Sequence, residues 1–205
     1  MADSVAPEFA RFVAAQRPRA SAERPRAEGQ VGKPLTLGAD EANRLLPVAA
    51  RRAAGFFRPT KRTEVVWVEG DSELAVGLDG MQLQFGTGLI ALTLRVRCDQ
   101  TGAAEVRVNF ACGEPNRPAG LYAAAQRRPQ GPELIVATWG DALVAYAWQC
   151  LLELVSGLAN ATGKDARGNL MVPVEMVATP RRLEIVPMAR HRFSGSSGLT
   201  AAVKR

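Results

Sequence analysis

The sequence predicts an α+β protein: a mainly antiparallel β-sheet of about 7–8 strands packed against one long buried helix over about 141–158. An N-terminal helical segment and an extended N-terminal arm complete it. Three observations carry this reading. The stretch DALVAYAWQCLLELVSGL has apolar residues at helical spacing, several segments before and after it alternate as strands do, and no strand–helix–strand repeat demands a parallel crossover. With 205 residues, 47% of them hydrophobic, the chain is long enough for one well-buried core. The expected organisation is an arm over 1–34, a single α+β domain over 35–192 and a flexible tail over 193–205.

Residues 1–34 mix Ala, Pro, Arg, Glu and Gly, and the steps Arg17-Pro18 and Arg24-Pro25 disfavour a continuous helix. The charges of this arm nearly cancel, so it is no polybasic tail. Its apolar patch, Phe9, Phe12 and Val13, is a candidate docking point for a partner or a neighbouring subunit.

From Asp40 to Phe57 the residues Ala42, Leu45, Leu46, Ala49, Ala53 and Phe56 follow helical spacing. Pro47 either kinks that helix or begins a second one. Arg44, Arg51, Arg52, Arg58, Lys61 and Arg62 cluster here and are candidate phosphate contacts, set against the reading of a solvated helix face.

The densest strand signal follows in TEVVWVEG, SELAVGL and MQLQFG. A two-residue turn at Asp79-Gly80 pairs Leu78 with Met81, Val76 with Leu83 and Leu74 with Phe85 on one face. LIALTLRVRC and EVRVNFAC form a second hairpin. If Asp99 to Thr101 close it with Gly102 at a bulge, Leu94 opposes Val106, Leu92 opposes Val108 and Arg95 faces Glu105. This register sets Cys98 and Cys112 at opposite ends, out of disulfide reach.

GEPNRPAG (113–120) reads as a loop, LYAAAQRR as a helical turn or the start of a strand, and ELIVAT (133–138) as a short strand leading into the central helix. Asp141 after Gly140 is the expected N-cap, with Gly157 and Gly163 as candidate stops. A helix of that length is too short for a bilayer, which needs ~20 apolar residues, so no membrane span is expected. LMVPVEMVA and RRLEIVPM are two more strands, whose Pro173 and Pro187 suggest edge positions.

The chemistry is mostly one of exclusion. Gly157 to Lys164 imitates a phosphate-binding loop, but its spacing is one residue too long, Asp165 replaces the Ser or Thr, and it closes a helix instead of opening one. The single histidine, His191, sits between Arg190 and Arg192, and no zinc or calcium pattern is visible. No catalytic residue, metal ligand or cofactor is assigned, and the balance leans away from an enzyme. Three cysteines with no Cys-x-x-Cys pair, and an N-terminus without a signal peptide, suggest a cytoplasmic protein.

Three functions compete. The first is a non-enzymatic assembly or protein-interaction subunit of a larger bacterial complex, pairing with a protein partner or with itself, on the grounds of the arm, the extendable edge strands and the all-round apolar helix. The net charge of +6 keeps open a nucleic-acid-binding module using Arg95, Arg97 and Arg107 with the basic helix. The third is a small hydrophobic-ligand pocket lined by Trp67, Leu92, Tyr146 and Cys150.

Overall fold

The computed structural model describes residues 5–16, 33–123 and 128–189. In chain order its elements are α1 (Pro7–Ala15), β1 (Leu35–Gly38), α2 (Ala39–Ala53), β2 (Glu64–Glu69), β3 (Ser72–Gly77), β4 (Gln82–Gly86), β5 (Leu89–Cys98), β6 (Gly102–Ala111), β7 (Tyr122–Ala123), α3 (Glu133–Ala161), β8 (Met171–Thr179) and β9 (Arg182–Ala189). Antiparallel sheets pack with one long helix, as the hydrophobic pattern requires.

The face of α3 expected to be apolar, from Leu143 through Leu158, is buried. The helix nevertheless starts at Glu133, so ELIVAT is its opening turns and not a strand. Ile135, Val136 and Trp139 are buried there, and tertiary burial overrides the modest helix propensity of β-branched residues. Pro132, not Asp141, is the N-cap, and neither Gly140 nor Gly157 interrupts the helix. The chain leaves it after Thr162, whose hydroxyl donates to Ala159 O, with Gly163 at φ +112°. At 29 residues α3 is long and apolar enough to cross a bilayer, which overturns the argument from shortness. Protein covers much of it, and a core helix is apolar for that reason.

The larger sheet runs β2-β3-β5-β6-β7, with β4 also on β5; the smaller runs β1-β9-β8. The β5–β6 hairpin has the expected register, Leu94 on Val106, Leu92 on Val108 and Arg95 on Glu105, with Gly102 at φ +68° closing the loop. The other expected hairpin does not form. Instead of pairing with each other, β3 and β4 both pair with β5: Val76 meets Val96, and Leu83 meets Leu92. Leu74, Val76, Leu78, Met81, Leu83 and Phe85 still share the buried face, because both arrangements preserve the alternation. The partner of β3 on its other side is β2, through a Gly70-Asp71 loop with Gly70 at φ +57°. Pro173 does lie on an edge strand, β8, beside a bulge. Pro187 lies on the middle strand, β9, but past the end of β1, which reaches only Ile185.

Helix α2 is continuous through Pro47 and packs along α3. It provides from within the chain the cover that a second subunit was the alternative to supply. Val144, Trp148 and Leu152 remain half-buried, Trp148 with its ring 5.8 Å from that of Phe110.

Residues 7–15 are a helix, not part of an extended arm. Phe9 is fully buried against α3, where Gly157 supplies the notch: a Cβ there would collide with the Phe9 ring. Phe12 and Val13 pack partly buried on the same core, so this patch docks within its own chain. The rest of the expected arm (1–4 and 17–32), the tail 193–205 and His191 lie outside the described residues.

Truncating Phe9 to Ala should lower stability by about 3–5 kcal/mol in urea unfolding, the usual range for a buried Phe. A loss below about 0.5 kcal/mol would mean that α1 does not hold to the core.

Candidate functional site

The side chains expected to line a pocket are packed together instead. Leu92 and Cys150 are fully buried in the core. Tyr146 meets the Trp67 ring edge-on at 5.5 Å, and Trp139 lies 6.3 Å from Trp67. The Tyr146 hydroxyl donates to Ala50 O at 3.0 Å, joining α3 to α2. These residues fill the space they were expected to line. A recess of about 320 Å³ opens elsewhere, between Cys112, Glu114, Arg117, Pro118 and Ala119.

The basic residues are largely committed within the chain. Arg44 pairs with Glu41, Arg51 with Asp79, and Arg52 with Glu153 at 2.9 Å. On the sheet, Arg95 pairs with Glu105 and Arg97 with Glu64. Arg62 lies over the Phe56 ring. Arg58, Lys61 and Arg107 are exposed and, among the described residues, have no ion-pair partner. The expected phosphate-binding cluster therefore carries much of its own counter-charge.

What stands out is the treatment of the sheet edges. An edge strand presents unpaired backbone groups, which a protein must cap or expose. The outer edge of β1 is capped by Gln16, whose side chain donates to Thr36 O at 2.7 Å and accepts from Thr36 N at 3.2 Å. Asn43 of α2 does the same for β4, donating to Leu83 O at 3.1 Å and accepting from Leu83 N at 2.6 Å. Beside β6, Gln130 exchanges both backbone hydrogen bonds with Arg107, next to the short β7. The loop after β6 covers β8, with Ala119 bonded to Met176 and Gly113 O accepting from Ala178 N.

At the end of the larger sheet opposite β7, the edge strand is β2. Leu78 N donates to Thr63 O, which fixes the phase of the β2–β3 ladder. Hydrogen-bonded pairs then fall on Val65, Trp67 and Glu69, so the N–H and C=O groups of Glu64, Val66 and Val68 point away from β3. No described residue caps them. Val66 and Val68 are also 53% and 66% exposed, while Val65 and Trp67 turn toward the core. The run VVWV carried this signal: four apolar residues in a row put apolar groups on both faces, where a half-buried strand would alternate.

The three thiols are free. Burial pushes Cys112 up to about 11 and Cys150 up to about 12, and raises the Tyr146 hydroxyl beside Cys150 as well. A hydrogen bond with the Thr101 hydroxyl lowers the thiol of Cys98.

Removing an edge cap tests the contrast between strands. Asn43→Leu leaves the Leu83 backbone without its partner and should cost about 1–3 kcal/mol in denaturant unfolding; no loss would mean water caps β4 equally well. The thiols give a pH signature. An unfolded cysteine releases its proton near pH ~8.5, whereas the folded chain retains those of Cys112 and Cys150 to higher pH. The unfolded state then binds fewer protons, so their contribution is complete below about pH 8.5 and is lost as pH rises toward 11–12. The unfolding midpoint should fall across that window, and less so in a Cys112→Ala/Cys150→Ala variant; equal slopes would refute the assignment. Cys98 should be the first thiol to react with a disulfide reagent.

No family model, curated protein or solved structure matches the chain, so its function has to be read from its own residues.

Proposed function

We propose that the chain is a non-enzymatic protein-interaction subunit that joins its partner by extending the larger sheet along β2. The observation that carries this reading is the contrast between edges. Backbone groups on β1, β4, β6 and β8 are bonded by Gln16, Asn43, Gln130 and the 113–119 loop. Those of Glu64, Val66 and Val68 are not, among the described residues, and the two valines add exposed apolar surface on the outer face. Main-chain hydrogen bonds along such an edge supply affinity, and alternate side chains supply specificity. The three free thiols accord with a cytoplasmic setting.

The test is the native mass of the protein in the cells that make it. The wild-type chain should run in an assembly heavier than its own 21.9 kDa. A Val66→Lys/Val68→Lys variant should run at the single-chain mass with an unchanged unfolding temperature, because both side chains already face solvent. Recovery of the wild-type chain at its single-chain mass would overturn the reading.

A further inference from the structure

The ends of β2 carry opposite charge. Arg58, Lys61 and Arg62 precede the strand, Glu69 is its last residue, and Asp71 and Glu73 follow in the turn and the start of β3. All six are exposed, and among the described residues none has an ion-pair partner. Along the edge the charge therefore runs from positive to negative, with the apolar Val66 and Val68 between.

An edge of this kind complements itself in one orientation. Resting on the interaction reading above, we infer that the partner on β2 is a second copy of the chain, paired β2 to β2 in antiparallel fashion about a two-fold axis. Antiparallel pairing brings the basic end of each copy beside the acidic end of the other, twice per dimer. Parallel pairing would set like charges together.

The phase of the ladder narrows the register. The free backbone groups belong to Glu64, Val66 and Val68, so those residues must oppose one another across the axis. Centring the pair on Val66 aligns all three, with Val66 facing Val66 of the second copy and Glu64 facing Val68. The same register sets Thr63 opposite Glu69 and brings residues 58–62 of each copy toward the Gly70-Asp71 turn of the other. On the core-side face it sets Val65 opposite Trp67, whose partly buried indole gains a cover. The valines of both copies then form one apolar strip on the outer face.

The experiment uses the purified full chain with no other protein. Sedimentation over a range of concentration should show a monomer–dimer equilibrium. Val66→Pro should abolish it at unchanged fold, because the Val66 N–H makes no bond to β3. Should that variant not fold, the charges at the strand ends provide the test. Lys61→Glu alone and Asp71→Lys alone should each weaken the dimer roughly tenfold, since each sets like charge beside like charge at both ends of it. The combined Lys61→Glu/Asp71→Lys chain should recover to within a few-fold of wild type. Within one chain these residues lie beyond opposite ends of a strand roughly 17 Å long, too far for the rescue to be internal.

A purified chain that stays monomeric at all concentrations, or a dimer indifferent to Val66→Pro and to the charge reversals, overturns the self-pairing. If such a chain still enters a heavier assembly in its native cells, and loses it in Val66→Lys/Val68→Lys, the edge binds a different protein. The interaction reading would then survive and only the identity of the partner would fall.

Discussion

The fold depends on the need to cover helix α3 on most of its circumference. Nearly every position from Leu134 to Leu158 is apolar or small, so a single sheet face cannot remove it from water. The chain meets this with layers from several directions. The larger sheet presents Leu92, Leu94, Val108 and Phe110, α2 lies alongside, and the smaller sheet and α1 add further cover. The order of elements follows from this: the helix comes late, after the segments that enclose one side, and the β8–β9 hairpin follows it to close another.

The parts legible in the sequence are those decided by local rules. The β5–β6 hairpin was readable to the residue because a three-residue loop with a left-handed glycine fixes the register, and the register agrees with the apolar alternation. The β3–β4 region offered the same kind of signal and led elsewhere. An Asp-Gly step between two alternating segments fits a hairpin, but alternation reports only which face a side chain occupies, not which strand lies beside it. β3 and β4 satisfy the identical pattern by sharing β5. The start of α3 was hidden for a related reason. ELIVAT has strand propensity and Gly140 looks like a boundary, yet burial of Ile135, Val136 and Trp139 decides the matter, and burial is a tertiary fact.

The candidate site was half legible. Extendable edge strands follow from the strand pattern, and VVWV shows apolar groups on both faces. Which edge stays open was beyond the sequence, because the caps on the others come from Gln16, Asn43 and Gln130, each remote from the strand it protects or separated from it by a loop. A polar residue on a helix gives no sign in sequence that its amide will lie along a strand edge. Phe9 misled in the opposite sense. An aromatic in an Ala- and Pro-rich segment resembles an external docking residue, and only the notch at Gly157 reveals that its socket belongs to the same chain.

An uncapped edge bearing two exposed valines is a hazard, since any extended chain can add to it. Two-fold symmetry limits that hazard under the proposed pairing. Pairing β2 with its own copy consumes the open edge of both chains in one contact, and backbone groups on β1, β4, β6 and β8 are bonded within the chain by Gln16, Asn43, Gln130 and the 113–119 loop. Such an assembly closes at two copies. A partner of different sequence would offer its own far edge to the next molecule, and the chain would then have to rely on that partner for termination. The bonds made on β1, β4, β6 and β8 therefore fit a protein in which the open edge meets another of its own kind.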